Sequence, residues 1–420
     1  MKLDFRLSAA AIALAAGVGS TAAYATDGYF MNGYGASQTA LAGAGVAYSQ
    51  DAMAITLNPA GLVHVDDQTV AGVAVFMPFR SYEASAGGMV DPGSHSSGNN
   101  WFPVPDFAWT KHLGPDTVLG VGVYGNGGMD TRYTNPVFGG GVTGVDLNQA
   151  FMSVSLSQRF GQFSVGVAPV LAMQIFNARG LEGFKGMSVS GDNVTGGATD
   201  FSFSYGGGVR AGVEYDVTPA LRVAVAGTSR MYMTNFERYK GLFAGGGNFD
   251  IPATVTAGIS YNVRPNITVM ADYKHIFYSD VASIANPSTN QAPFGSSNGP
   301  GFGWHDINVY KFGVDWRYNP LWTLRAGYSY NDSPLDKRDI MMHILTPATV
   351  QHHITGGVKY RWSDNMDVEF SAMYAPEKSF SGDAPAAFGG QHIDVRMYEV
   401  EALAGIVYHW NGRRELEPLK

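Results

Sequence analysis

Strict alternation of side-chain character is the feature that most limits this chain, because successive side chains of a strand point to opposite faces. From Trp322 to Asn331 it holds without a break. Trp322, Leu324, Ala326, Tyr328 and Tyr330 share one face, and Thr323, Arg325, Gly327, Ser329 and Asn331 the other. The stretch from Gln351 repeats the pattern: Ile354, Gly356, Val358, Tyr360 and Trp362 oppose Thr355, Gly357, Lys359 and Arg361. Near the end, Tyr398, Val400, Ala402, Ala404, Ile406, Tyr408 and Trp410 lie opposite Glu399 and Glu401. A soluble sandwich also alternates, but its apolar face is a core of large aliphatics. Here small residues sit mid-strand with Tyr and Trp towards the ends, which suits a lipid-facing band edged by aromatic girdles.

The connections carry a second rhythm. Tight turns fall at Gly114-Pro115-Asp116, Gly161-Gln162, Thr218-Pro219, Arg264-Pro265-Asn266, Asn319-Pro320 and Asp364-Asn365. Pro, Gly, Asn and Asp supply the dihedrals that such turns need. Between them lie longer irregular stretches, roughly 82–100, 128–146, 177–200, 235–248, 281–306, 332–350 and 376–393. Short and long alternate throughout, as periplasmic turns and extracellular loops do in an outer-membrane barrel. The count implies about fourteen strands of about 9–11 residues. The expected fold is all-β: a transmembrane antiparallel barrel over 67–410, with a C-terminal tail over 411–420.

The N-terminus agrees with export. Lys2 and Arg6, an apolar run from Leu7 to about Val18, and Ala23-Tyr24-Ala25 read as a signal peptide over 1–25. The run is too short for a spanning helix, which needs about 20 residues, and no later stretch qualifies. Charged residues make up 15% of the chain, against about 25% in soluble proteins. A lipid-facing wall explains the deficit. The net charge of -8 offers no basic footprint for nucleic acid. With no cysteine, disulfide and thiol chemistry are excluded.

Several motif matches fail on context. Gly120 to Gly125 fits G-x-G-x-x-G but lies inside an alternating strand with no helix after it. Gly295 to Gly299 fits G-x-S-x-G but sits in a Pro/Gly-rich loop, away from any strand-to-helix elbow. His352 and His353 are adjacent, so on a strand they point to opposite faces and do not share a metal. There is no phosphate loop, so any transport is passive. No catalytic residue, metal or other cofactor is expected.

Segment 26–66 precedes the first strand and lacks alternation. It reads Gly28-Tyr29-Phe30-Met31-Asn32-Gly33-Tyr34-Gly35, Ala42-Gly43-Ala44-Gly45-Val46-Ala47, Asp51-Ala52-Met53-Ala54 and Asn58-Pro59-Ala60-Gly61-Leu62. This order resembles the hatch of the FadL/TodX family of outer-membrane transporters, and Asn58-Pro59-Ala60 is similar to its hatch motif. Ile251-Pro252-Ala253-Thr254, Leu324-Arg325-Ala326-Gly327-Tyr328 and Asp332-Ser333-Pro334 also resemble the family. The resemblance implies a barrel plugged by a hatch of short helices. It implies passive uptake of long-chain fatty acids, alkanes or aromatic hydrocarbons. Ligand would land on extracellular loops, enter a pocket above the hatch, and leave sideways through a kink in the third strand. Surroundings of outer-membrane lipid and lipopolysaccharide, and a monomeric state, go with that reading.

Candidate residues follow. The third strand would run from Thr117 to about Gly127, and Gly125-Asn126-Gly127 fits either a kink or a loop start. Phe184 and Met187 in one long loop, with Phe236, Leu242 and Phe243 in the next, form an apolar landing site or a cap over the barrel. A carboxylate ligand needs a lumen cation. Parity offers Arg210, Arg325 and Lys359, along with Lys274, Arg317 and Arg361, unless lumen acids such as Asp272, Asp315, Glu214, Glu369, Glu399 and Glu401 hold them. The competing functions are a barrel-embedded lipid enzyme, with Ser297, His305 and Asp306 as its only arrangement, and a general porin or adhesin.

Overall fold

The computed structural model describes residues 26–411. The expected leader over 1–25 and the tail beyond Asn411 lie outside the described residues. Fourteen antiparallel strands form the wall: β1 (Gln68–Ala84), β2 (Phe102–His112), β3 (Thr117–Asp130), β4 (Gly144–Phe160), β5 (Phe163–Arg179), β6 (Ser202–Asp216), β7 (Leu221–Thr228), β8 (Thr254–Arg264), β9 (Ile267–Ile276), β10 (Ile307–Arg317), β11 (Trp322–Asn331), β12 (His352–Ser363), β13 (Met366–Asp383) and β14 (His392–His409). Each pairs with its chain neighbour, and β1 pairs with β14 from Gln68↔His409 to Ala84↔Ile393, closing the sheet. Two short strands, Gly93–Ser96 and Tyr232–Met233, extend β1 and β6 from within the loops.

Alternation sets the two faces. On β11, Thr323, Arg325, Ser329 and Asn331 are buried toward the lumen, while Trp322, Ala326 and Tyr328 are exposed. Trp316, Trp322 and Trp362 are exposed near the short turns, and Tyr205, Tyr273, Tyr310 and Tyr374 nearer the long loops. These are the two interfacial girdles, where an aromatic ring sits half in hydrocarbon and half in headgroups.

Several strands exceed the expected length. β4 and β5 have 17 residues and β13 has 18. Their ladders continue past the hydrocarbon layer, because each extended strand keeps a paired neighbour. The stretch 376–393, expected as a loop, is mostly strand, and only 384–391 connects β13 to β14. Pro376 is tolerated because the register shifts between Ala375 and Lys378, and bulges accept a residue without N–H.

The N-terminal segment fills the lumen. It contains a short helix (Gly35–Ala40) and two 3₁₀ helices (Ala52–Thr56 and Pro59–His64). Polar wall side chains hold its backbone. Asp272 accepts from Gly45 N (2.7 Å) and Val46 N (2.9 Å). Ser157, Ser260 and Thr355 donate to the carbonyls of Pro59, Ala47 and Ala40 at 2.6, 2.8 and 2.9 Å. Glycine permits this close approach. A Cβ at Gly166 would lie 2.3 Å from Ala60 N, and one at Gly327 would lie 2.3 Å from Leu41 C.

Candidate functional site

Asn58 organises the lower part of the plug. Its Oδ1 accepts from Ala60 N (3.0 Å), capping the Pro59–His64 helix, and its Nδ2 donates to Val46 O (2.9 Å). Pro59 occupies the first turn, where a missing N–H costs nothing. These three residues hold the plug's own turns together and do not line the cavity beside Tyr34 and Arg210.

That cavity lies between the plug and the wall and is small, about 40 Å³. Phe30, Met31 and Tyr34 bound it on the plug side, and Asn126, Arg210, Lys274 and Lys311 on the wall side. Arg210 donates to Thr228 Oγ1 (3.0 Å), Ile55 O (3.1 Å) and Tyr124 OH (2.8 Å). Those partners are neutral, so its charge has no carboxylate within ion-pair distance among the described residues. Arg325 is different: Asp315 (2.8 Å) and Glu369 (3.1 Å) enclose it, so it braces the wall. Lys359 sits 3.9 Å from Asp367, and Arg317 donates to Pro265 O (2.7 Å) at a turn. Neither lines the cavity.

Lys311 was missed from sequence, although parity with Asp315 and Arg317 puts it on the lumen face. Its ammonium donates to Asn32 O (2.6 Å) and Asn32 Oδ1 (2.8 Å), and lies 3.0 Å from Asp27 Oδ2.

The third strand carries an irregularity at Gly125–Gly127. The β3–β4 register shifts between Gly125 and Gly127, leaving Asn126 as the extra residue. On its other side β3 pairs with β2 only from Val118 to Tyr124. Above the last pair, Asp106↔Tyr124, the seam is open. The β2 residues there, Phe102 to Pro105, keep only their β1 partners. Pro103 and Pro105 have no N–H, and being two apart their missing donors point the same way. Because β2 stays paired to β1, the bare side is the one facing β3.

The N-terminal segment covers this gap from inside. Met31 N donates to Asn126 O (3.0 Å), and Gly128 N to Tyr29 O (3.2 Å). Tyr34 OH donates to Asn126 Oδ1 (2.7 Å), and Asn126 Nδ2 to Gln149 Oε1 (2.9 Å). At Gly127 a Cβ would lie 1.8 Å from Tyr29 O, so only glycine lets the strap approach. Higher up, Arg80 of β1 donates to Asp130 O, and its Nη1 lies 3.6 Å from the Asp130 carboxylate. The window is thus bounded below by Asp106↔Tyr124 and above by Arg80 and Asp130.

The long loops close the mouth. Phe236, Leu242 and Phe243 are buried around Phe176, at ring distances of 5.4 Å for Phe236 and 4.7 Å for Phe243. Phe184 is buried against Phe138 (5.0 Å) and Phe294 (5.4 Å), and Met187 is partly buried against the same cluster. These five residues therefore form a packed cap and present no open apolar patch. Loop 332–351 dips into the mouth, where Thr131 Oγ1 donates to Leu345 O (3.0 Å) and Tyr133 OH to Ile344 O (3.2 Å).

The arrangement proposed for an enzyme does not assemble. His305 pairs with Asp336 (3.3 Å), and Asp306 faces His275 (3.8 Å). His64, Glu214 and Asp216 lie within metal-ligand reach of one another. However, Arg222 Nε is 3.0 Å from Glu214 and 2.7 Å from Asp216, and Arg159 is 3.0 Å from Asp216. Guanidinium groups already supply the charge that a cation would bring.

A closed barrel of this size, with girdled outer face and plugged lumen, defines an integral outer-membrane β-barrel; among the described residues no helix is long and apolar enough to cross a membrane. The chain belongs to the outer membrane protein transport protein family (OMPP1/FadL/TodX), whose model matches residues 12–409. Solved structures agree on the fold. The toluene transporter TodX of P. putida is 18% identical with a TM-score of 0.68, over 90% of this chain and 99% of that one. A FadL homologue of Pseudomonas aeruginosa is 14% identical with a TM-score of 0.67, over 91% and 100%. The Ralstonia pickettii toluene transporter TbuX is 20% identical with a TM-score of 0.62, over 90% and 99%. A comparison with curated proteins returns no match.

Proposed function

We propose that this protein is a passive channel that carries hydrophobic small molecules from the outer leaflet into the outer membrane through the side of its wall. The observation that carries the reading is the double role of Asn126, which lines the cavity and is also the bulged residue at the wall gap. Lipopolysaccharide gives the outer leaflet a polar, packed face that apolar molecules cross slowly, and a water-filled pore would not help them. A walled cavity beside a lateral window does. Residues 26–66 act as the hatch, and Gly125, Asn126 and Gly127 as the exit. The apolar residues Phe184, Met187, Phe236, Leu242 and Phe243 meet ligand as the loop cap loosens. The chain works as a monomer, surrounded by outer-membrane lipid and lipopolysaccharide, with no catalytic step.

Long-chain acids, alkanes and aromatic hydrocarbons all suit this route. Arg210, which lines the cavity with only neutral hydrogen-bond partners, favours an amphiphile with an anionic end. Loss of the gene should slow growth on long-chain acids or hydrocarbons and leave growth on sugars unchanged. Normal growth on every hydrophobic carbon source would defeat the reading. In planar bilayers the native protein should conduct few ions, whereas steady conductance would point to a general porin.

A further inference from the structure

We infer that Asp27 is a resident competitor for the cavity's lysines and thereby sets how the channel discriminates between anionic and neutral cargo. This rests on the channel reading above. Lys274 on β9 and Lys311 on β10 come from adjacent strands and converge on one oxygen, Asp27 Oδ2, each at 3.0 Å. Asp27 does not belong to the wall. It sits in the plug segment, where its backbone bridges to Phe30 and its carbonyl accepts from Tyr278 OH (2.7 Å). Its carboxylate is fully buried, and among the described residues Oδ1 has no hydrogen-bond partner.

The charges facing this place are few. Arg210, Lys274 and Lys311 line the cavity. Against them, among the described residues, stand Asp27 and Asp272, with His353 and Glu399, 3.8 Å apart, also within electrostatic reach of Asp27; Asp272 Oδ2 is engaged by the N–H groups of Gly45 and Val46. Lys311 has three protons and three acceptors: Asp27 and the two oxygens of Asn32. It has no donor to spare for a ligand while Asp27 is in place. Lys274 is divided between Asp27 and the face of Phe30, 5.2 Å from the ring centre. A carboxylate cargo therefore meets a carboxylate already seated on the two ammonium groups. It must displace Asp27 or settle for Arg210 alone. A neutral hydrocarbon faces no such contest. Asp27 thus raises the requirement for anions, so that only those with a large apolar body to bury compete well.

The test uses the full-length folded protein in detergent and two probes of equal chain length, dodecanoate and 1-dodecanol, with affinities from calorimetry. In Asp27→Asn, dodecanoate should bind about 10-fold tighter, the scale of one charge-assisted contact, while dodecanol stays within about 2-fold. Unchanged or weaker dodecanoate binding overturns the inference. So does an equal gain for both probes, which would mean a loosened plug. If Asp27→Asn does not fold, Asp27→Ser serves instead, with the same two probes and the same refuting outcomes. If neither probe binds the native chain, the channel reading falls and takes this one with it. If dodecanoate binds native and Asp27→Asn protein alike, the inference alone falls.

Discussion

A reversible staple across the wall gap tests the exit route directly. Pro105 and Gly125 would be the next pair above Asp106↔Tyr124 if the β2–β3 seam continued. The chain has no cysteine, so Pro105→Cys with Gly125→Cys introduces the only two thiols. Drawing β3 toward β2 strains three bonds of the strap: Met31 N to Asn126 O, Gly128 N to Tyr29 O, and Tyr34 OH to Asn126 Oδ1. At about 1 kcal/mol each, roughly 3 kcal/mol opposes closure, a load that a covalent bond can hold. A disulfide brings its Cα atoms to about 5.5–6 Å, close to the roughly 4.8 Å spacing of paired strands. No alkyl chain passes between strands at that separation. Uptake of a radiolabelled long-chain acid into whole cells should fall at least about 10-fold on oxidation, equivalent to ~1.4 kcal/mol in barrier. Reductant should restore it. Complete crosslinking on a gel with undiminished uptake would refute lateral exit through this gap.

Three further outcomes follow from the same structure. Gly166→Val should press on Ala60, cost about 1–3 kcal/mol by overpacking, and raise planar-bilayer conductance as the plug shifts; unchanged conductance and melting would contradict the close approach. Arg325→Met leaves Asp315 and Glu369 without their shared partner, so the folded barrel should lose about 3–5 kcal/mol, read as a lower transition on heated gels. Burial pushes His343 down to about 4 from 6.5, which favours the neutral ring in the folded loop. Its contribution is present above pH 6.5 and is lost as pH falls toward 4, by up to ~3 kcal/mol. Protection factors over 336–348, referred to the intrinsic exchange rate at each pH, should therefore fall at pH 5 relative to pH 7.5, and His343→Phe should flatten that dependence.

Local pattern carried most of the fold. Alternation on β11, β12 and β14 is a property of neighbouring residues, so it survives without tertiary information, and the short turns are written in Pro, Gly, Asn and Asp. Strand ends were harder, because Pro376 reads as a breaker until a bulge accommodates it. The site was legible in part. The glycines at 125 and 127 mark a weak place in β3, and Pro103 and Pro105 of β2 carry a local sign of a bare edge, but only the strand register shows that the two face each other. Lys311 was within reach by parity. Asp27 was not: it meets Lys274 across 247 positions of sequence, and only barrel closure around the plug brings them together. The loop aromatics looked like a surface patch because sequence does not show loops folding onto one another.

An opening in a β-wall has a second consequence. It creates two bare strand edges, and bare edges recruit other strands. Here the prolines at 103 and 105 blunt one edge, and the segment around Tyr29 and Met31 masks the other from within. Two copies meeting side by side in a crowded membrane thus find no template for joining their sheets. Under the proposal of a monomeric channel, this is how a wall with a gap avoids pairing edge to edge with a second copy.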